Sequence, residues 1–313
     1  MRPFPLAALF FLNLTIVFGQ QVVNNKLTPE HQNVAGTKIS LISPKGFHKA
    51  ANFLGLQQDQ SGSTMMVIAF PGPFSQVSSG LTKEGLLSQG VEVKEIQNLT
   101  VNSLPAILVT GEQNANGKAY TKYVLAFGTE TETIMINCAV PKNLGEIGKE
   151  VKASLLTVFY EPGKKIDPLE TVDYEIDLKG SKLKFASSVA NVLTFNLDGK
   201  TPNQSPDRTS LIVAKAFSNV AISDKKLFAL NRIKNLPVEI LKINSVEAID
   251  IDGISGFEIL ADGKGKKTGD AEKIYQVILF SDSLYYLMIG TTNQDFEMNI
   301  SEIKRVTRSF KRK

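Results

Sequence analysis

One pattern of elements is written twice along this chain, first over residues 37–160 and again over 174–313. A duplication of that length calls for two separate cores, because each half is long enough to bury its own apolar residues. Between the halves stands Glu161-Pro162-Gly163-Lys164-Lys165-Ile166-Asp167-Pro168. Prolines, a glycine and charges in one short run are linker punctuation. The expected organisation is therefore a leader over 1–19, a polar segment over 20–36, a domain over 37–160, a linker over 161–173 and a second domain over 174–313.

Each copy opens on an alternating segment, Lys38 to Ser43 and Tyr174 to Leu178, whose period of two predicts a half-buried strand. Apolar runs follow at Met65–Phe70 and Leu211–Phe217. Next in the second copy, Leu227, Leu230, Ile233 and Leu236 recur at helical spacing behind Ser223 or Asp224 as a cap. Its counterpart around Leu81 to Leu87 carries more glycine and predicts a weaker helix. The closest internal match sets Val101-Asn102-Ser103-Leu104-Pro105-Ala106-Ile107 against Ile251-Asp252-Gly253-Ile254-Ser255-Gly256-Phe257. Hairpin strands follow: Tyr123–Phe127 with Ile134–Ile136, and Gln276–Phe280 with Leu287–Ile289. Each copy closes on an amphipathic helix. One is marked by Leu144, Ile147, Val151, Leu155 and Val158, with Asn143 and Glu146 spaced as a capping box. The other is marked by Phe296, Ile300, Ile303 and Phe310. An apolar stripe must be covered, so each helix should pack on its sheet.

The opener Ile39-Ser40-Leu41-Ile42-Ser43-Pro44-Lys45-Gly46-Phe47, with the hairpin and closing helix over Tyr123–Phe159, resembles the PsbP/Mog1-like family. The second copy has Lys179-Gly180-Ser181 in place of the Pro-x-Gly-aromatic opener and follows the pattern only in its later strands and closing helix. The resemblance implies an α+β fold of two tandem domains, each an antiparallel β-sheet flanked by helices in an α-β-α sandwich. It also implies binding or assistance rather than catalysis. It names no partner and transfers no site residue.

The N-terminus carries Arg2, an apolar run from Leu6 to Phe18, and small residues before Gly19-Gln20. That is the order of a secretory signal, with cleavage expected near Gly19. The run is shorter than a membrane span needs. The 42% hydrophobic and 21% charged content is that of an ordinary folded chain. The lone Cys138 sits in an apolar run and reads as a small buried hydrophobe.

Catalytic signatures are sparse. His31 and His48 are the only histidines and stand apart, so neither metal-ligand spacing nor a Gly-x-Ser-x-Gly elbow appears. No cofactor is expected. Asp250 and Asp252 would share a face if both lay on one strand, but the calcium-loop pattern is incomplete, and a strand face entering a turn is the plainer reading. Asp262-Gly263-Lys264-Gly265-Lys266-Lys267 reads as a hairpin tip rather than a phosphate loop. Six cations gather at the end: Lys304, Arg305, Arg308, Lys311, Arg312 and Lys313. They form either a solvated helix end or a surface for weak contact with an anionic membrane. Nucleic acid is not an expected partner.

The leading expectation is a non-catalytic exported binding or accessory protein of the cell envelope, periplasmic or secreted, that contacts another protein. A carrier of a small apolar ligand, with Phe70, Phe127, Phe217 and Phe280 lining a sheet-helix cavity, is the first alternative. A hydrolase with a dispersed site around His48 is the second.

Overall fold

A computed structural model describes residues 21–23, 26–115, 117–190, 192–217, 222–282 and 284–313. The expected leader over 1–19 lies outside the described residues. The first domain contains β1 (Gln21–Val23), β2 (His31–Asn33), β3 (Ile39–Ile42), β4 (His48–Lys49), β5 (Gly55–Gln58) and β6 (Ser63–Pro71). Two short helices follow, α1 (Phe74–Ser78) and α2 (Lys83–Leu87). Then come β7 (Val91–Val101), β8 (Leu104–Ala115), β9 (Lys118–Gly128), β10 (Glu132–Pro141), α3 (Gly145–Leu155) and β11 (Phe159–Tyr160). The second domain contains β12 (Tyr174–Glu175), β13 (Lys184–Val189), β14 (Val192–Asn196), β15 (Ser210–Lys215) and α4 (Lys225–Lys234). It continues through β16 (Val238–Ile251), β17 (Ile254–Gly265), β18 (Ala271–Ser281), β19 (Leu284–Thr292), α5 (Phe296–Arg308) and β20 (Lys311–Arg312).

The two large sheets have one topology. Their strand orders are β7-β8-β9-β10-β6-β5-β4 and β16-β17-β18-β19-β15-β14-β13, antiparallel throughout. The first sheet gains β1, which runs parallel along β7. In both copies the closing strand returns to the opening one, β11 on β3 and β20 on β12.

Both faces of each sheet are covered at its central strands, which therefore read as continuous apolar runs rather than alternating ones. In β9, Leu125 and Phe127 enter the core beneath α3, while Val124 and Ala126 enter a smaller one with Phe74 and Leu86 of the short helices. In β18, Val277 and Leu279 join Ile300, Ile303 and Val306 of α5, while Ile274 and Ile278 join Ala229 and Ile233 of α4. The α+β class expected from the sequence holds, with two antiparallel domains and modest helical cover.

Several local expectations change. The segment Tyr174–Leu178 is a strand only at Tyr174–Glu175, because it has just β20 to pair with. The capping box at Asn143 does not form, and α3 starts after Leu144 without a side-chain cap. Asp224 does cap α4, accepting from the Leu227 amide at 2.8 Å. The second copy keeps the opener turn despite losing its proline and phenylalanine. The Ser181 amide donates to Leu178 as the Phe47 amide donates to Pro44, and Gly180 and Gly46 both take positive φ, 72° and 76°.

Candidate functional site

A cleft of about 740 Å³ lies where the two domains and the linker meet. Phe70 and Pro71 at the end of β6 form one wall, and Phe185–Ser188 of β13 form the other. Linker residues 162–166 close the side, so sequence that reads as punctuation becomes part of the surface. A second depression of about 460 Å³ lies across the linker, bounded by Phe53, Leu54, Asp173 and Lys215.

The first domain contributes a charged centre to the cleft. Lys38 Nζ donates to both Glu132 oxygens at 3.1 and 2.9 Å, and Tyr160 Oη donates to Oε2 at 2.6 Å. The tyrosine ring is held edge-on against Phe127 with centroids 5.6 Å apart. Burial, then the Glu132 carboxylate, push the Tyr160 phenol well above its ordinary range. The second domain repeats the chemistry from other positions. Lys215 Nζ and Tyr286 Oη donate to Asp173 Oδ2 at 2.6 and 3.2 Å. Burial is the first cause, and Asp173 the second, that the Tyr286 phenol is pushed up to about 12. Each carboxylate is matched by a cation and a neutral donor, which makes these centres orienting anchors rather than poised acids. Lys164 and Lys165 on the linker have no carboxylate partner among the described residues.

The C-terminal cations are dispersed by pairing. Lys304 lies over the Tyr275 ring at 5.2 Å, and Arg305 bonds Glu302 at 3.1 Å. Arg308 bonds both oxygens of the buried Glu258, which also accepts from the Tyr275 hydroxyl. Arg312 bonds Asp252, and Lys313 Nζ donates to the carbonyls of Leu169 and Val172. Lys311 is exposed on β20 opposite Glu175.

The other singled-out residues are held structurally. His48 is exposed on the β4–β5 hairpin, with Nε2 3.1 Å from Asp59 and Nδ1 3.0 Å from the Lys49 carbonyl. The Asp59 contact meets one expectation of the hydrolase alternative, whereas His48 lines neither of the two depressions. His31 receives the Thr28 amide and reaches the Thr157 carbonyl at 2.9 Å, tying the N-terminal segment to the end of α3. Cys138 is fully buried, and burial pushes its thiol up to about 12. Asp252 is in a turn at φ 55°, so it does not share a strand face with Asp250. The segment 262–267 is the end of β17 and its turn, with Lys266 bonded to the Leu236 carbonyl. Phe127 and Phe280 are core, Phe70 lines the cleft and Phe217 is exposed, so the four rings do not meet in one cavity. Among the described residues no group of three or more His, Cys, Asp or Glu could hold a metal, and no helix is long and apolar enough to cross a membrane.

The cleft escaped the sequence reading because its walls come from β6, β13 and the linker, which are far apart in the chain. Glu132 and Tyr160 carry no local motif. The only available signal was the charged linker between two copies.

No protein family and no curated protein matches the sequence. Solved structures do. A Bacteroides thetaiotaomicron protein is 14% identical over 47% of this chain, with a TM-score of 0.31, and the chain spans about half of that protein, 52%. Cyanobacterial PsbP of Synechocystis is 8% identical, covering 42% of this chain and 91% of its own, at a TM-score of 0.32. The Tle4–Tli4 complex matches at 8% identity over 86% of this chain and 98% of that one, also at 0.32. The PsbP match is a loose likeness of fold at low identity over less than half the chain.

Proposed function

We propose that this chain is a non-catalytic, exported binding or accessory protein of the cell envelope, and that it acts through contact with another protein at the inter-domain cleft. The observation that carries this reading is the cleft itself. It joins apolar walls at Phe70, Phe185 and Ile166 to linker cations that lack carboxylate partners among the described residues. A partner segment presenting an apolar side chain beside a carboxylate fits that chemistry, with the apolar part supplying affinity and the charge fixing orientation. The Lys38–Glu132–Tyr160 centre is already satisfied internally and serves to hold the cleft wall in shape.

Crosslinked capture from the native envelope tests this, comparing the mature chain with a Lys164→Glu/Lys165→Glu variant. One reproducible protein captured by the former and lost by the latter supports the reading. Equal capture by both, or no captured protein, overturns the assignment of the cleft. A small apolar molecule recovered by solvent extraction of the purified protein would favour the carrier alternative, relocated to the cleft.

A further inference from the structure

The second domain carries a construction that the first does not. Where a tight turn joins β5 to β6, a long loop over residues 197–209 joins β14 to β15. Polar side chains pin it. Asn196 donates to the Lys200 carbonyl at 2.8 Å and accepts from the Gly199 amide at 2.7 Å. Asp198 accepts from the Gln204 amide at 2.8 Å, and the Arg208 amide donates to Asn293 at 2.7 Å. Beneath the loop, Thr209 bonds Thr292 at 2.7 Å, and Asn299 of α5 bonds both Thr292 and Asp207 at 3.1 Å. Thr209, Thr292 and Asn299 are all buried. A buried polar network is tolerated only when its members are satisfied, and once satisfied it fixes one conformation. The loop is therefore rigid by construction.

It forms the rim of a basin of about 380 Å³ on the α4 side of the sheet, beyond the reach of α4, which packs on β16, β17 and β18. This volume is at the small end of the roughly 300–1,000 Å³ of ligand sites. Across the floor runs a directly paired polar row, Asn196 opposite Ser210 and Ser210 opposite Thr291. The Ser210 and Thr291 hydroxyls are 3.1 Å apart. On the neighbouring strand the Glu272 side chain is only 15% exposed, yet it accepts no hydrogen bond from any described residue. Its nearest cation, Arg208, is 3.9 Å away and bonds Asp270 at 2.6 Å instead. Burial raises the Glu272 carboxyl above its ordinary value. A part-buried carboxylate with no protein donor keeps only part of its hydration, and a ligand that brings donors completes its hydrogen bonds.

We propose that this basin binds a neutral saccharide, whose hydroxyl groups donate to Glu272 and exchange hydrogen bonds with Ser210 and Thr291. The lining selects that class. An apolar ligand would strip water from a row of hydroxyls and return no hydrogen bonds. A metal ion would find one lining carboxylate beside Arg208 and Lys200. An anion would meet the Glu272 carboxylate with Arg208 already engaged by Asp270. A neutral polyol supplies donors to the carboxylate and exchanges hydrogen bonds with the Ser210 and Thr291 hydroxyls. No aromatic ring lines the basin, so affinity rests on hydrogen bonds, and a Kd on the order of 1 mM is expected.

The test is titration of the isotopically labelled mature chain with glucose, galactose, mannose, N-acetylglucosamine and their common disaccharides, followed by amide shifts. The expected result is saturable binding of at least one, with shifts centred on Thr194, Ser210, Glu272 and Thr291. Glu272→Gln keeps the shape and removes the charge, and should weaken that binding at least tenfold while the remaining amide spectrum is unchanged. Thr291→Val should weaken it as well. Absence of saturation by every sugar overturns the proposal. So does binding that Glu272→Gln leaves intact, or saturable binding of inorganic phosphate or calcium at these residues in place of sugar. The Lys164→Glu/Lys165→Glu variant should bind sugar normally, which separates this site from the inter-domain cleft.

Discussion

Asp252, in the turn between β16 and β17, accepts both the Arg312 amide and the Arg312 Nε, each at 3.1 Å. Asn102, in the turn between β7 and β8, accepts the Tyr160 amide at 3.1 Å. The positions are equivalent, since each follows the first long strand of its sheet and each receives the strand that closes its domain. Both residues take positive φ, 55° and 47°, a conformation that Asn and Asp adopt more readily than other non-glycine residues. The strongest internal match in the sequence thus encodes a clasp for the end of each domain.

The two clasps differ in one proton. The Arg312 amide, then its guanidinium, hold the Asp252 carboxyl below its ordinary value of 3.8. A depressed carboxylate contributes stability above its unfolded pKa and loses it as pH falls through the folded one. Asn102 does not titrate. Acidification below pH 4 should therefore lower the protection factors of the Arg312 and Lys313 amides, measured against their intrinsic rates at each pH, while leaving Tyr160 protected. Asp252→Ala should produce the same loosening at neutral pH, and equal protection of Arg312 in the variant would refute the clasp.

Helix packing gives a second prediction. A Cβ on Gly290 of β19 would come within 2.3 Å of Ile303 Cγ2 on α5. The equivalent positions in the first domain are Cys138 and Val151, a larger strand residue and a smaller helix residue of one core. Gly290→Ala should cost about 1–3 kcal/mol by overpacking, and Ile303→Ala about 2–5 kcal/mol by leaving a cavity. The double variant should cost clearly less than the sum, because each change relieves the other. Strict additivity in denaturant unfolding would show that the helix moves away from the sheet instead.

Lys122 on β9 gives a third. It is 8% exposed, forms no ion pair among the described residues, and burial lowers its pKa. On the adjacent strand Asn137, paired with Val124, has a buried side-chain oxygen without a partner among the described residues. The equivalent positions in the second domain are Ile274 and Ile289, both in the α4 core. A lysine whose folded pKa is depressed costs stability at neutral pH and recovers it as pH rises toward the unfolded value. Lys122→Met should stabilise the protein by on the order of 1 kcal/mol at pH 7, with a gain that shrinks near pH 10. A loss of stability would mean that the ammonium has a partner in solution.

How much of this was legible follows from where the signal is stored. The runs Tyr123–Phe127 and Gln276–Phe280 are apolar on both faces, and a local window finds them. The long strands β7 and β16 were missed because their residues are largely exposed and charged, such as Glu92, Lys94 and Glu95, and their pairing comes from β8 and β17 rather than from their own pattern. The edge strand β13 and its neighbour β14 were missed for a similar reason, since Ser187 and Thr194 line the basin instead of a core. The cation cluster looked continuous because sequence shows charge and not partners. Glu258, Asp252 and the Leu169 carbonyl, which take up Arg308, Arg312 and Lys313, come from distant segments.

Cys138 supplies a reporter confined to the first domain. It is fully buried, and its thiol is pushed up to about 12 by burial. The thiolate is the reactive species, and burial both disfavours it and keeps reagent away from the sulfur. A disulfide reagent should therefore leave the folded protein unlabelled and react once the first domain opens. Because Ile303 lies in the other domain, Ile303→Ala separates two behaviours. If the domains unfold as one unit, the variant should raise the Cys138 labelling rate by the factor by which it lowers global stability. If they unfold separately, the rate should not change. The cleft walls from β6 and β13, together with the Lys313 bonds to the linker carbonyls, lead us to expect the coupled outcome. Rapid labelling of the folded wild-type chain would contradict the burial itself.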